Sequence, residues 1–417
     1  MKLYNIVIFA VALMKVLGIP CEAGTISWTN AAGGSWNTPA NWDANRVPGV
    51  SDNVIITANG TYTITIDAFT EVFSLTLGGT NGQQTILDEA YYWLDLDGPS
   101  VVNANGILDL ANNGLGGNGM LTVCGLYNWN YGWIHIANGV TVAPTGVMNV
   151  IGGFLGLSCV LTNQGTVNWL GGEPFIQNNG AGDTGAISNQ TGGVWNIQCD
   201  STLNCTWGIE QFYNSGVILK SASGGVTAFD VYVDNSGAAE TQNGTVEFNW
   251  GGVLGGRFVA DSGTTISCPL FALTASHGGS ASASSFSAVS NFTSVTLQAY
   301  PSTGYTFSSW EANTLSGGSF SQTASNQTTF RFNANSAYIT AAFAPIPSLA
   351  VGRSGQSLVL LWPTNSPGYQ LQSTGLLGSS TNWAPLINTP VLTLNGQNIV
   401  VTSSTNRYQF FRLSSTN

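Results

Sequence analysis

The chain has 417 residues, enough for about two to four domains, and its low charge (7%) and abundant Gly (52 residues) favour strands and turns over helices. Disorder is disfavoured, because 43% hydrophobic residues supply enough apolar surface for a buried core. No Lys or Arg lies between Arg46 and Lys220, which excludes nucleic acid as a partner of this region and disfavours anionic polysaccharides.

The first 23 residues are predicted to be a secretory signal peptide. Lys2 precedes an apolar run over residues 6–14, and small residues follow around Ala23. The run is too short to span a bilayer, and no second such run follows. We therefore expect a secreted or cell-surface protein with no transmembrane segment in the mature chain.

Residues 24–267 repeat a short alternating strand followed by an Asn-x-Gly or Gly-Gly turn, as in residues 161–167 and 212–218. This recurrence predicts a β-solenoid, in which each coil covers the apolar face of the next and Asn side chains can stack at the turns. A series of antiparallel β-sandwiches is the alternative. Because the stability of a solenoid is a sum over neighbouring coils, we expect residues 24–267 to fold without the rest of the chain.

The opening of this region carries a distinctive motif. Residues 28–42 read WTNAAGGSWNTPANW, and Val47-Pro48-Gly49 follows. The motif resembles the start of secreted bacterial β-helix proteins of the autotransporter-type strand-repeat kind, and residues 121–125 and 246–266 resemble their internal repeats. The resemblance implies a right-handed parallel β-helix on an exported surface protein, in which Trp36, Trp42 and Pro48 cap the first coil.

Two carboxylates are candidates for chemistry on sugars. Asp95 and Asp97 lie on one face of a predicted strand, about 6.5–7 Å apart. This separation is compatible with the acid and base of an inverting glycosidase, with a weak calcium site, or with two solvated side chains. A polysaccharide-degrading enzyme requires a cleft that gathers Asp95, Asp97 or Asp109 with another carboxylate.

The strongest candidate for ligand binding is the segment YNWNYGW at residues 127–133. Strict alternation places four aromatic side chains on one strand face: Tyr127, Trp129, Tyr131 and Trp133. Pointing inward, they are core residues; pointing outward, they form a strip on which neutral sugar rings stack, while Asn128 and Asn130 join an internal amide ladder. The sequence leaves both orientations open.

Five cysteines follow the predicted signal peptide, and their spacing matches no zinc-binding pattern. The short separation of Cys199 and Cys205 in an exported protein predicts a structural disulfide between them. The cysteine spacing leads us to expect no metal, and no Gly-rich stretch pairs with a Lys in a phosphate-binding loop, so we expect no cofactor either. His135 alternates with two Ile residues and is expected to be a surface strand residue rather than a catalytic base.

Residues 268–345 are predicted to form a small β module. The stretches VTLQA at 295–299, GYTFSSW at 304–310 and AYITAAF at 337–343 resemble the divergent internalin-type B-repeat, a β-grasp-like module of bacterial surface proteins. The resemblance covers about residues 272–343. Ser309 and Glu311 stand where the family usually carries Gly. Alternation in the strands makes Tyr305, Phe307 and Trp310 candidate core residues.

Residues 346–417 are predicted to form a small β-sandwich. Alternating strands at 358–362, 369–372, 399–401 and 408–413 are separated by Pro363 and Pro367. The segment resembles the terminal modules of exported bacterial proteins.

These features favour an exported cell-surface adhesion or scaffold protein that binds a neutral polysaccharide or another cell-surface component. The alternative is a polysaccharide-degrading enzyme, a glycoside hydrolase or lyase built on a β-helix.

Overall fold

The structure is a computed structural model that describes residues 24–88, 91–111, 114–284, 294–313, 317–333, 336–364, 368–378, 382–386, 390–403 and 408–415. The predicted signal peptide lies outside the described residues. Within these ranges the fold is all-β, as predicted, and the one helical element is a 3-10 turn at Pro39–Asn41. The described part of the chain has no helix long and apolar enough to cross a bilayer.

The solenoid consists of short strands, most of them three to five residues long. They are β1 Thr25–Ser27, β2 Gly34–Ser35, β3 Asn53–Ile56, β4 Tyr62–Ile66, β5 Thr70–Val72, β6 Ser74–Leu77, β7 Gln84–Asp88, β8 Trp93–Leu96, β9 Pro99–Val102, β10 Gly106–Leu110, β11 Gly114–Gly116, β12 Met120–Val123, β13 Leu126–Trp129, β14 Gly132–Ile134, β15 Val140–Val142, β16 Val147–Val150, β17 Phe154–Leu157, β18 Val160–Asn163, β19 Thr166–Trp169, β20 Glu173–Ile176, β21 Ala186–Asn189, β22 Val194–Ile197, β23 Thr202–Cys205, β24 Gln211–Asn214, β25 Val217–Lys220, β26 Val226–Phe229, β27 Tyr232–Asn235, β28 Ala238–Thr241, β29 Thr245–Phe248, β30 Gly252–Leu254, β31 Arg257–Ala260 and β32 Thr265–Cys268.

These strands stack in parallel into three sheets, and each full coil contributes one strand to each sheet. The first sheet runs β1-β3-β6-β9-β12-β15-β18-β21-β24-β27-β30. The second sheet begins β2-β4-β7-β10-β13 and continues with every third strand to β31, and the third sheet begins β5-β8-β11-β14-β17 and continues likewise to β32. The predicted parallel β-solenoid is therefore confirmed.

The core fills the space enclosed by the three sheets. Along each strand, side chains alternate between the interior and the outer face, so that in β22 Trp195 and Ile197 are buried while Val194 and Asn196 are half-buried. Interior rings from successive coils contact each other edge to face, as Trp195 and Phe212 do at 5.2 Å between centroids.

The predicted stacking of Asn side chains is confirmed on the inside of the solenoid. An inner amide ladder consists of four buried residues, each at the end of a first-sheet strand: Asn163, Asn189, Asn214 and Asn235. The first three side-chain amides each donate to the side-chain oxygen of the Asn on the next coil, over 2.7, 2.6 and 2.5 Å, and Asn235 donates to the Gly255 carbonyl at 2.6 Å. These bonds satisfy polar groups that would otherwise be buried without partners.

The N-terminal end of the stack is filled with tryptophan. Trp28, Trp36 and Trp42 are buried, and Trp42 packs edge to face against each of the other two at 4.9 Å. The Trp42 indole also donates to the Trp36 carbonyl at 2.7 Å. These side chains cover the apolar interior at the first coil, in the capping position implied for Trp36 and Trp42.

The following strands are longer. They are β33 Phe271–Ala275, β34 Gly279–Ala283, β35 Ser294–Pro301, β36 Tyr305–Ala312, β37 Gly318–Phe320, β38 Gln327–Phe332 and β39 Ala337–Pro345.

These strands extend two of the solenoid sheets. Strand β34 pairs antiparallel with β31 in the second sheet, and β33 pairs antiparallel with β32 in the third. The solenoid and this module also share one hydrophobic core, in which Trp310 is buried and Phe307 half-buried. The module therefore closes the open edges of two sheets at the last coil.

The remaining strands form two further antiparallel sheets. They are β40 Ala350–Ser354, β41 Ser357–Pro363, β42 Tyr369–Thr374, β43 Ala384–Pro385, β44 Leu392–Leu394, β45 Gln397–Ser403 and β46 Phe410–Ser415.

One sheet contains β40, β41, β45 and β44, and the other contains β43, β42 and β46. Leu360, Trp362 and Val400 from the first of these sheets share a small core with Leu371 from the other. This arrangement agrees with the predicted two-sheet module.

Candidate functional site

The segment 127–133 does not keep its four aromatic side chains on one face. Tyr127 and Trp129 are buried inside the solenoid, whereas Tyr131 is 39% exposed and Trp133 half-buried on the outside. The alternation is interrupted because the chain turns a corner between β13 of the second sheet and β14 of the third. Strict alternation would place Tyr131 and Trp133 on the same side as Trp129. At this corner Gly132, with φ of 84°, points to the interior instead, and Tyr131 and Trp133 point outward.

Asn128 does not join the inner amide ladder. It lies on the outer face of the second sheet, where its amide donates to the Asp109 carboxylate at 3.0 Å. Asn149 donates to Asn128 at 2.9 Å, and Asn168 and Asn196 continue the series at 3.0 Å each. Asn128 therefore belongs to an outer amide ladder, as the inward orientation of Tyr127 and Trp129 requires, and the alternative in which Asn128 lies inside is not observed.

Asn130 is also placed outside. Its amide is hydrogen-bonded to the other Asp109 oxygen at 2.5 Å. Asp109 thus ends the outer amide ladder and holds the corner that follows β13.

Four aromatic side chains lie on the outer face of the third sheet: Trp93 of β8, Trp133 of β14, Phe154 of β17 and Phe175 of β20. We refer to them as the aromatic cluster. The rings of Trp133, Phe154 and Phe175 lie 5.1–5.5 Å apart between centroids, in edge-to-face pairs. Tyr131 extends the cluster at 6.1 Å from Phe154.

Glycines on neighbouring coils make room for the two indoles. Gly114 of β11 is in register with both Trp93 and Trp133, and Gly156 of β17 is in register with Trp133. A Cβ atom at Gly156 would lie 2.7 Å from Cδ2 of Trp133, and one at Gly114 would lie 2.8 Å from Cζ3 of Trp93. Along the stack, the outward positions in register with one another therefore alternate between Trp and Gly. Each indole packs over the backbone of the next coil.

A shallow cavity of about 270 Å³ opens beside the cluster. Its lining combines the two indoles with four polar side chains: Trp93, Trp133, His135, Ser158, Gln177 and Asp183. Ile134 pairs with Leu157, and Leu157 with Ile176, so the residues that follow them, His135, Ser158 and Gln177, lie side by side on successive coils. We refer to this space as the aromatic cavity.

Asp183 is held in a defined orientation at the edge of the aromatic cavity. Its Oδ2 accepts hydrogen bonds from Gln177 at 2.8 Å and Asn179 at 2.7 Å. Its Oδ1 lies 3.4 Å from Nδ1 of His135. The loop between β20 and β21 thus folds back over two coils and brings Asp183 beside the imidazole. His135 is a surface residue, as predicted, but the sequence did not indicate that Asp183 would contact it.

Ser158 presents a hydroxyl group to the aromatic cavity. The residue is only 3% exposed, and its side chain makes no hydrogen bond with any residue that the structure describes. It also lines an adjoining cavity of about 240 Å³, together with His135, Asn118 and Thr184. A nearly buried hydroxyl without a protein partner is suited to hydrogen-bond a ligand.

The candidate catalytic carboxylates are not gathered in a cleft. Asp95 lies on the outer face of the third sheet next to Glu71, with which it is in register, whereas Asp109 lies on the second sheet. Asp97 accepts hydrogen bonds from the backbone and side chain of Asn118, both at 2.9 Å. Asp95, Asp97 and Asp109 line neither the aromatic cavity nor the adjoining one.

Asp95 nevertheless has an unusual environment. Burial raises its pKa above the ordinary value, the negative charges of Glu71 and Asp97 raise it further, and His135 partly opposes them. Among the described residues, no group of three or more His, Cys, Asp or Glu side chains is arranged to hold a metal ion.

The predicted disulfide between Cys199 and Cys205 is wrong: both residues are free thiols in the structure. Cys199 lies in the turn after β22, and Cys205 ends β23 at Thr202–Cys205. That strand extends the chain by about 10 Å, beyond the Cα separation that a disulfide bridges, and carries Cys205 away from the turn.

Comparison with known proteins identifies one segment. Residues 270–347 match the family model of the divergent InlB B-repeat domain, in agreement with the resemblance of residues 272–343. No curated protein and no solved structure matches the chain. The molecule thus combines a parallel β-solenoid with a segment similar to a divergent InlB B-repeat domain, whose strands continue two of the solenoid sheets.

Proposed function

We propose that this chain is an exported cell-surface scaffold or adhesion protein that binds polysaccharide on the outer face of its third sheet. The observation that carries the proposal is the aromatic cavity, where Trp93 and Trp133 lie beside the partner-free hydroxyl of Ser158. The predicted signal peptide and the match to a B-repeat domain support the surface location.

The aromatic cavity has the two components that sugar recognition needs. The C–H face of a pyranose ring is apolar and packs favourably on an exposed indole, because both surfaces leave water. Sugar hydroxyl groups then require hydrogen-bond partners, which Ser158, Gln177 and the Asp183 carboxylate can supply. The shallow shape suits an extended chain that passes over the surface.

Charge favours a ligand without negative groups. No Lys or Arg occurs between Arg46 and Lys220, so none lies on the coils that form this face. A uronate or sulfated chain would meet Asp183 and Asp95 with no guanidinium or ammonium group to offset the repulsion. The first probes are therefore neutral chains.

The test is affinity electrophoresis of the secreted protein in gels that contain a soluble β-glucan, xylan or N-acetylated glucosamine polymer. We expect at least one polymer to retard the wild-type protein, and the Trp93→Ala, Trp133→Ala double variant to lose the retardation while keeping its circular dichroism. Trp207→Ala is the matched control, because this indole is 62% exposed but lies outside the aromatic cavity. Retardation by none of these polymers, or equal retardation of the double variant, would overturn the proposal.

A further inference from the structure

The aromatic cluster is flanked by carboxylates on both sides. Glu173 of β20 is in register with Phe154, so it lies on the same outer face beside the rings. Asp95 lies at the opposite side, two residues after Trp93 on β8. Asp183 adds a third carboxylate at the edge of the aromatic cavity.

The side chains of Asp95 and Trp93 both lie next to Gly116 on the following coil. A Cβ atom at Gly116 would lie 3.2 Å from Cε3 of Trp93 and would collide with the Asp95 carboxylate. The carboxylate therefore lies next to the indole edge. Burial raises the pKa of Asp95, and so do the negative charges of Glu71, its register partner on β5, and of Asp97, which follows β8.

The nearby basic group does not balance this charge. His135 lies 3.4 Å from Asp183. When protonated, the imidazole carries one positive charge and can offset the charge of only one carboxylate. Lys220, the next cation along the sequence, is fully buried and paired with Asp200 at 2.8 Å. Asp95 and Glu173 thus border the indole rings with no Lys or Arg partner among the described residues, whereas Asp183 has His135 beside it.

We propose that the polysaccharide bound at this face is an amino-sugar chain with free, protonated amino groups. This inference rests on the proposed function and names the class of its ligand. The sugar ring packs on Trp93 or Trp133, and the ammonium group interacts with the indole face and with Asp95 or Glu173. A neutral chain makes the same stacking contacts but leaves the carboxylates without a partner.

The experiment compares two glucosamine oligomers of equal length, one fully N-acetylated and one fully deacetylated, by isothermal titration calorimetry at pH 6. We expect the deacetylated oligomer to bind about tenfold more tightly, which corresponds to one charge-assisted hydrogen bond. This preference should shrink when the salt concentration rises from 20 to about 200 mM, because exposed charges are screened.

The Asp95→Asn, Glu173→Gln double variant should lose the preference and keep the affinity for the N-acetylated oligomer. Asp234→Asn, on the outer face of the first sheet, is the matched control and should keep the preference. Equal affinity of the wild-type protein for both oligomers, or a preference that survives in the double variant, would overturn the inference while leaving the proposed function intact. If neither oligomer binds and no neutral polymer retards the protein, both proposals fail.

Discussion

At the scale of single residues, Trp129 and Trp133 show how one short segment serves two purposes. Trp129 is 2% exposed and donates to the Gly132 carbonyl from inside the solenoid. Trp133 packs over Gly156 on the outside, beside the aromatic cavity. The first residue stabilises the fold, and the second is available to a ligand.

Substitution separates these two roles. Trp129→Ala should lower the free energy of unfolding by about 3–5 kcal/mol, because it leaves a large cavity in the core. Trp133→Ala should lower the free energy of unfolding by less than about 1.5 kcal/mol, because its ring is half-buried on the outer face and its loss leaves no enclosed cavity. Urea denaturation of both variants measures the difference. Equal destabilisation by the two substitutions would contradict the assignment of Trp133 to the outer face.

The thiols of Cys199 and Cys205 should react slowly in the folded protein. Burial raises the pKa of Cys199 to about 11, and the pKa of Cys205 likewise to about 11. At pH 8 only about one thiol in a thousand is then a thiolate, the form that reacts. We expect iodoacetamide to alkylate these two thiols slowly in the native state and completely after unfolding without a reducing agent, as peptide mapping would show. A peptide map that contains Cys199 linked to Cys205 would contradict the free thiols.

At the scale of elements, the corners of the solenoid decide which side chains reach the surface. Alternation correctly predicted the orientation of Tyr127 and Trp129 relative to each other within β13. It did not predict that the side chains next to Gly132 switch sides. The chain turns a corner between two sheets there, and the two-residue alternation of a strand does not continue through a corner. The contact between His135 and Asp183 was likewise not predictable, since it depends on a loop that crosses two coils.

One such loop is held by a buried carboxylate. Glu210 is 1% exposed and accepts backbone hydrogen bonds from Trp207 and Ile209, both at 2.9 Å, and from Asn178 at 3.1 Å. Burial alone would raise the pKa of Glu210, but these backbone donors outweigh burial and hold the pKa below its usual value.

Glu210→Gln should therefore destabilise the protein by about 1–3 kcal/mol at pH 7. A carboxyl group with a lowered pKa in the folded state contributes stability above its unfolded pKa, and this contribution is lost as the pH falls through the folded value. The difference in the free energy of unfolding between the variant and the wild-type protein should accordingly become smaller below about pH 4. Glu247→Gln, on an outer face, is the control and should change little. If Glu210→Gln destabilised the protein equally at every pH, the ionised carboxylate of Glu210 would not be what stabilises the loop.

At the scale of the whole molecule, both ends of the solenoid are covered. Tryptophans fill the first coil, and β33 and β34 pair with the last strands of two sheets. The turn signals in the sequence predicted the solenoid and its Asn stacking, because they are local. The pairing of the following module with the last coil was not visible in the sequence, because antiparallel continuation of a parallel sheet leaves no local pattern.

The pairing of β33 and β34 with the last coil changes the expectation that the solenoid folds alone. The sequence suggested that residues 24–267 fold without the C-terminal modules, but a chain that ends after Cys268 would expose the edges of β31 and β32. We expect that chain to aggregate in size-exclusion chromatography, whereas a chain that ends after Pro347 and keeps these pairings should elute as the full chain does, after correction for mass. A well-folded monomer of the shorter chain, with unchanged Tm, would contradict the capping role.

The proposed binding of sugar to the outer face of the third sheet can be tested directly. The most direct measurement is a crystal structure of the protein with an oligosaccharide from whichever polymer retards it most in affinity gels. We expect sugar rings packed on Trp93 and Trp133, with a sugar hydroxyl within hydrogen-bond distance of Ser158. Sugar bound elsewhere, for example at the exposed rings of Trp207 and Trp250, with an empty aromatic cavity, would contradict it.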